Sequence, residues 1–246
     1  FGETQPAQAK KAGSMDLIVT GICWYVTFLF CTVLHEAAHA LAAKIGGDMT
    51  AYYGGQVSVD PVPHIRREPI GMVVLPILSL IITRGSWPFG YASAPYDPYW
   101  AELHPKRAAW MALAGPAANL LTAVGAGVLL RVGYAYGVFE IPYSITLTAI
   151  ATGVSEGIWS VLALFLSMVF SLGLILAVFN LIPIPPLDGS GALSLFLGEE
   201  LTLKYRHMMS QPAFAMVGLV VAWNVFGPVF RPVFHLAIKL LYPWMK

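Results

Sequence analysis

The residues of this chain whose types and spacing most directly name a chemistry are HEAAH, residues 35–39. His35 and His39 are four apart, so on a helix their rings project from one face about one turn apart. That spacing suits two imidazole ligands of a tetrahedral zinc ion, with Glu36 beside them as a candidate general base. The competing reading is a pair of histidines hydrogen-bonded inside a helical bundle, with Glu36 as a local partner. Cost favours the metal. The surrounding stretch from Leu17 to Ile45 carries charges only at Glu36 and Lys44, and it exceeds the roughly 20 residues needed to cross a bilayer. A charged residue at the centre of such a helix costs about 2.5–3.5 kcal/mol. Three ionisable groups within five residues need a compensating ligand, and a divalent cation supplies one.

Catalytic zinc takes a third protein ligand and keeps a position open for water. Asp188, in PPLDG, is the first Asp or Glu after the apolar run 158–182. His64 and His104, among interface-type charges, His207 in a polar loop and His235 on the tail are rivals, each read as a surface histidine. Two asparagines also intrude on apolar sequence. Asn180 stands eight residues before Asp188, and Pro183, Pro185 and Pro186 between them rule out a continuous helix. That break frees backbone groups to line a cavity and lets Asn180 and Asp188 converge, which suits Asn180 to an oxyanion contact. Asn119, after Gly115-Pro116, reads first as an interhelical hydrogen bond and second as a substrate contact.

Composition fixes what must position these groups. The chain has 246 residues, 57% hydrophobic and 11% charged, where soluble domains carry about 25% charged residues. The expected class is an all-α polytopic membrane protein, a bundle of about four to six transmembrane helices. The net charge of +1 gives no reason to expect nucleic acid as a partner. Cys23 and Cys31 lie on one helical stripe and cannot bridge. The chain opens on Phe1, as a processed or trimmed product does. Residues 1–15 are expected to form a flexible polar tail, and 16–246 a single membrane-embedded domain with its core over about 16–200. Apolar runs cover 16–45, 69–83, 107–132, 158–182 and 212–230, the last followed by a Pro-interrupted amphipathic tail. Residues 85–105 suit an irregular interfacial loop.

Residues 51–63, AYYGGQVSVDPVP, alternate apolar and polar with turn signals, which predicts a short membrane-embedded strand or hairpin. Val57 and Val59 would then bind an unwound substrate by strand addition. A depth argument constrains topology. His35 lies about 28 Å along its run, and Asp188 lies beyond the end of 158–182. They can meet only if those runs are parallel, with one crossing, 107–132, between them. The run 69–83 must therefore re-enter rather than span. Placing the catalytic end in the cytoplasm puts Lys44, Arg66, Arg67, Arg84, Lys106, Arg107, Lys204 and Arg206 inside, a modest positive-inside bias. No loop is long enough to hold an added soluble module.

HEAAHA, GPAAN and NLIPIPPLDG, in that order on separate apolar runs, resemble the signature set of the site-2 protease family of intramembrane zinc metalloproteases. FGYASAPYDP resembles that family's middle segment, so the likeness covers roughly residues 16–200. The resemblance implies one zinc ion per chain held by His35, His39 and Asp188. It makes Glu36 the catalytic base and Asn180 a substrate or oxyanion contact. Expected partners are transmembrane protein substrates and the lipid bilayer of the cell membrane, with oligomeric state left open. The chain departs from larger members by lacking an inserted peptide-binding domain or a nucleotide-sensing tail. Two other readings compete: a membrane metal transporter, which predicts further ionisable residues along one crossing, and an inactive relative that binds membrane proteins, for which an intact Glu36 has no use.

Overall fold

The computed structural model describes residues 5–198, 200–202, 205 and 212–244. Helix α1 (Gln5–Ile45) begins within the stretch expected to be a flexible tail. AQAKKA is rich in strong helix formers and simply extends the apolar helix backwards. It stops where the sequence reads IGGD. Gly47 takes φ 98°, a left-handed conformation cheap only for glycine. Its amide bonds the Lys44 carbonyl at 3.1 Å and the next amide, of Asp48, bonds Ala43 at 2.9 Å, which closes the helix end. The indole nitrogen of Trp100 and Nη1 of Arg107 both donate to the Gly46 carbonyl at 3.1 Å.

Two short helices follow, α2 (Thr50–Tyr53) and α3 (Pro61–Arg67). The strand expected over 51–63 is absent: residues 56–60 are irregular between two helical turns. Helix-start signals outweigh the alternation. Asp48 accepts from the Thr50 amide at 2.9 Å and its hydroxyl at 2.6 Å, and Asp60 caps α3 by accepting from Val62 at 2.9 Å, with Pro61 in the first turn. Val57 is half-buried and Val59 is exposed, and neither lies in a ladder. Burial would raise the Asp48 carboxyl, but the Thr50 hydroxyl, the Thr50 amide and the Asp97 amide hold it below its ordinary value.

A π-helical turn, Ile70–Val74, leads into α4 (Leu75–Ile82). Together they make a thirteen-residue apolar segment, Ile70–Ile82, about 20 Å long. The Tyr25 hydroxyl donates to the Met72 carbonyl at 3.3 Å. At the far end of the segment a Cβ on Gly85 would sit 2.8 Å from the Leu17 carbonyl. The chain therefore travels back along α1 to its N-terminal part. It then returns: Tyr91 bonds Gly71 at 3.1 Å, and the Asp97 amide bonds Oδ2 of Asp48 at 2.9 Å. Arg84, expected among the cations at the catalytic end, stands at the opposite end beside Leu17. The outward path of α4 carries it there. Part of the expected loop 85–105 is helical, as α5 (Pro98–Leu103) capped by Asp97.

Helix α6 (Pro105–Ala135) and helix α7 (Ile158–Asn180) match their apolar runs closely. The connection between them is tied at the end away from His35 by strands β1 (Phe139–Glu140) and β2 (Thr152–Gly153), antiparallel with Phe139 opposite Gly153. After α7 come α8 (Asp188–Ala192) and a 3₁₀ turn, then helix α9 (Pro212–Leu241), which runs on through Pro228 and Pro232 where an interrupted tail was expected. Among the described residues four segments are long and apolar enough to cross a membrane: Leu17–Ile45, Pro105–Ala135, Ile158–Asn180 and Phe214–Leu241. The third is the centre of the bundle, with 61% of its apolar window buried against 11% for the last. Trp24, Phe28 and Cys31 of α1 meet Ala126 and Leu130 of α6 and Met168 to Phe170 of α7 in the main core. Small residues let the helices close on each other, as at Gly173, whose Cα side lies against the Asn119 carbonyl.

Candidate functional site

His35 and His39 stand one turn apart near the C-terminal end of α1, both buried. The prolines after Asn180 end α7 and turn the chain back, so that Asp188 opens α8 facing the same point. Oδ2 of Asp188 lies 3.1 Å from His35 Nε2 and 3.3 Å from His39 Nε2. The two Nε2 atoms are 3.0 Å apart. Ligand atoms about 2.0–2.1 Å from a tetrahedral zinc ion are separated by about 3.3 Å, so this triangle has the size of one face of a zinc site. Oδ2 of Asp188 is buried and has no hydrogen-bond partner. Two borderline nitrogens and one anionic oxygen are a donor set that fits zinc. Among the described residues these three form the one group of His, Cys, Asp or Glu able to share an ion.

Helix α6 forms the back wall. His39 Nδ1 donates to the Met111 carbonyl at 2.7 Å, which leaves its Nε2 lone pair facing Asp188. Asn119, fully buried, places Nδ2 2.8 Å from His35 Nδ1, while its Oδ1 is buried without a partner. An imidazole that offers Nε2 to a metal carries its proton on Nδ1 and needs an acceptor there. Turning the carboxamide over brings Oδ1 to that place with no change in shape. Between these contacts stands Gly115. A Cβ on it would lie 2.6 Å from His35 Nε2 and closer still to His39 Nε2, so the space in front of the ligands exists because this residue has no side chain.

Glu36, next to His35, is buried at 5% exposure and makes no hydrogen bond or ion pair with a described residue. Asn180 closes α7 half-buried and makes no hydrogen bond with the cluster. Val57 and Val59 belong to the irregular 56–60 segment and take no part in it. Of the rival histidines, His64 is not on the surface: it is 1% exposed, with Nε2 bonded to the Ser58 carbonyl at 2.9 Å, because α3 folds it beneath the 56–60 turn. His104 is half-buried before α6 and His235 is exposed; His207 lies outside the described residues. Sequence reasoning passed over Met111 and Gly115. The signal was available, since 111, 115 and 119 fall on one helical face.

Asn119→Leu is expected to keep the fold and weaken zinc binding by about 10–100-fold, the usual effect of losing a partner of a ligating histidine. Competition against a chelating dye measures it. Wild-type zinc affinity with slower peptide cleavage would make Asn119 a substrate contact instead.

The sequence profile of peptidase family M50 matches residues 24–224. YwhC of Bacillus subtilis (strain 168), assigned as a zinc metalloprotease, is 32% identical over 165 residues, covering 67% of this chain and 64% of that protein. Rip2 of Mycolicibacterium smegmatis, also assigned as a zinc metalloprotease, is 31% identical over 188 residues, 76% of this chain and 60% of that protein. The chain thus spans about three-fifths of the length of these relatives. No solved structure matches.

Proposed function

Since the chain belongs to peptidase family M50, the site-2 protease family, we propose that it is an intramembrane zinc endopeptidase that cleaves the spanning segments of other membrane proteins. The observation that carries this reading is the convergence of His35, His39 and Asp188 within one bundle of apolar helices. These three are assigned as the ligands of one zinc ion per chain. When bound, the ion supplies Lewis acidity, lowering the pKa of a water and polarising a carbonyl. The remaining work falls to the chain itself. Glu36, buried with no hydrogen-bond partner among the described residues, accepts the proton of the attacking water and returns it to the leaving amine nitrogen. Asn180 donates Nδ2–H to the carbonyl oxygen as charge builds there. Helix α6 holds both imidazoles in the tautomer that leaves Nε2 free, and the bundle limits water to the site.

In the membrane, the end that holds His35 faces the cytoplasm, with Lys44, Arg66, Arg67, Lys106 and Arg107 on that side. The segment from Ile70 to Asp97 leaves that side and comes back to it, so it is re-entrant and α1 and α7 run parallel. The substrates are helical membrane proteins whose target bond must unwind before attack, because a helix hides its carbonyls in its own hydrogen bonds. Purified protein reconstituted with a single-span substrate is expected to cut within the span, to stop when a strong chelator removes zinc, and to resume when one equivalent is restored. Cleavage that continues in metal-free protein sinks the proposal.

A further inference from the structure

The exposed face of α9 carries two cations, Arg231 and Lys239, that meet no carboxylate among the described residues. Arg231, His235 and Lys239 are spaced four apart and all exposed, so they form one stripe. The opposite face is aromatic: Phe226, Phe230 and Phe234 lie 5.1 and 5.5 Å apart in sequence, and Phe226 meets Phe179 of α7 at 5.4 Å. Contacts at both ends fix the depth. Gly218 packs against the Pro185 carbonyl, with Ile184 3.0 Å from where its Cβ would be. At the other end the Leu241 carbonyl accepts from Arg131 at 3.3 Å, and the Tyr242 hydroxyl bonds Ile150 at 3.0 Å. Trp244, stacked on Tyr134, marks that end as the kind of aromatic belt found at a membrane interface.

Lys239 is therefore within reach of lipid headgroups. Arg231, ten residues before Leu241, lies about 15 Å inward, near the middle of a hydrocarbon layer about 30 Å thick. Its side chain leaves the helix toward the N-terminus, away from the nearer interface. Among the described residues no carboxylate is in ion-pair distance of Arg231, His235 or Lys239; the ion pairs present are those of Asp188 with His35 and His39. A lipid phosphate can meet Lys239 and not Arg231. A second copy of the chain cannot supply the missing charge either. The one Asp or Glu within the four candidate spans is Glu36, which is buried, and a two-fold axis along the membrane normal would set Arg231 against its own copy.

We propose that this face of α9 receives a transmembrane helix of a different membrane protein, one that carries a carboxylate at the depth of Arg231. The surface is separate from the metal site, and the proposal does not depend on the peptidase reading. The test measures binding alone. The full chain, labelled with a fluorescence donor in phosphatidylcholine vesicles, is titrated with acceptor-labelled leucine-alanine transmembrane peptides bearing Glu, Gln or Lys at their midpoint. Wild type is expected to bind the Glu peptide about tenfold more tightly than the Gln peptide. R231Q loses that preference, R231E transfers it to the Lys peptide, and K239Q keeps it. Equal binding of Glu and Gln peptides by wild type overturns the proposal. So does a preference that survives R231Q, or one that vanishes when phosphatidylglycerol is added, which would assign the stripe to anionic lipid.

Discussion

Glu36→Gln is expected to lower kcat by roughly 10²–10⁴-fold, the range attributable to one positioned general base, or about 3–5 kcal/mol of barrier. The amide matches the carboxylate in shape and is not a ligand, so zinc content and thermal stability are expected to hold. Two features of the site make this variant informative. The Glu36 carboxylate is buried and bonds to no described residue, so losing its charge strands no partner. It also adjoins His35 in sequence, so damage to the metal site would register at once in zinc stoichiometry. Measuring zinc content and single-turnover cleavage on the same preparation separates base from ligand. Turnover within a few-fold of wild type at full zinc occupancy would remove Glu36 from the reaction.

Gly115→Ala is the smallest substitution expected to destroy the site. In a helix interior the change ordinarily gains about 1 kcal/mol. Here the added methyl collides with Nε2 of both histidines. The rings cannot retreat, because their other nitrogens are fixed by Met111 at 2.7 Å and Asn119 at 2.8 Å on the same helix. Zinc affinity is expected to fall at least about 100-fold, beyond the loss of a single supporting hydrogen bond, with cleavage falling in parallel. Gly125 on the same helix has nothing within 4 Å of its absent Cβ, so Gly125→Ala is the matched control and should leave zinc binding and activity intact. Wild-type zinc affinity in Gly115→Ala would mean that the cluster does not face α6 as described.

Much of this arrangement is written in local sequence. The helical spacing of His35 and His39, the apolar lengths and the prolines between Asn180 and Asp188 each act through backbone geometry that neighbouring residues determine, and the convergence of His35, His39 and Asp188 followed from them. Residues 51–63 misled, because alternation predicts a strand only where a partner strand exists to complete the ladder; instead Asp48 held Thr50 at the start of one helical turn and Asp60 capped the next. His64 was misplaced because burial is a tertiary property: α3 folds it under the Ser58 carbonyl, which its charged neighbours do not reveal. Arg84 went to the wrong end because a count of charges along the chain carries no information on where a short helix points. Gly115 was visible as a residue but not as a contact, since the histidines it admits lie about eighty positions earlier.

Met111, Gly115 and Asn119 make α6 a ruler as well as a wall. A tether, a gap and a second tether follow one another at four-residue intervals, matched to two histidines that are themselves four apart on α1. The match is one of phase. A single residue inserted between 111 and 119 would turn everything beyond it by about 100°, carrying Asn119 off the seam while Met111 stayed in place. Substitutions on the lipid side of the same helix leave the phase untouched. Over these nine positions the chain is free to drift in composition on one face but is locked in length, so a change of length here is a lesion of the metal site even when every residue type in the motif survives.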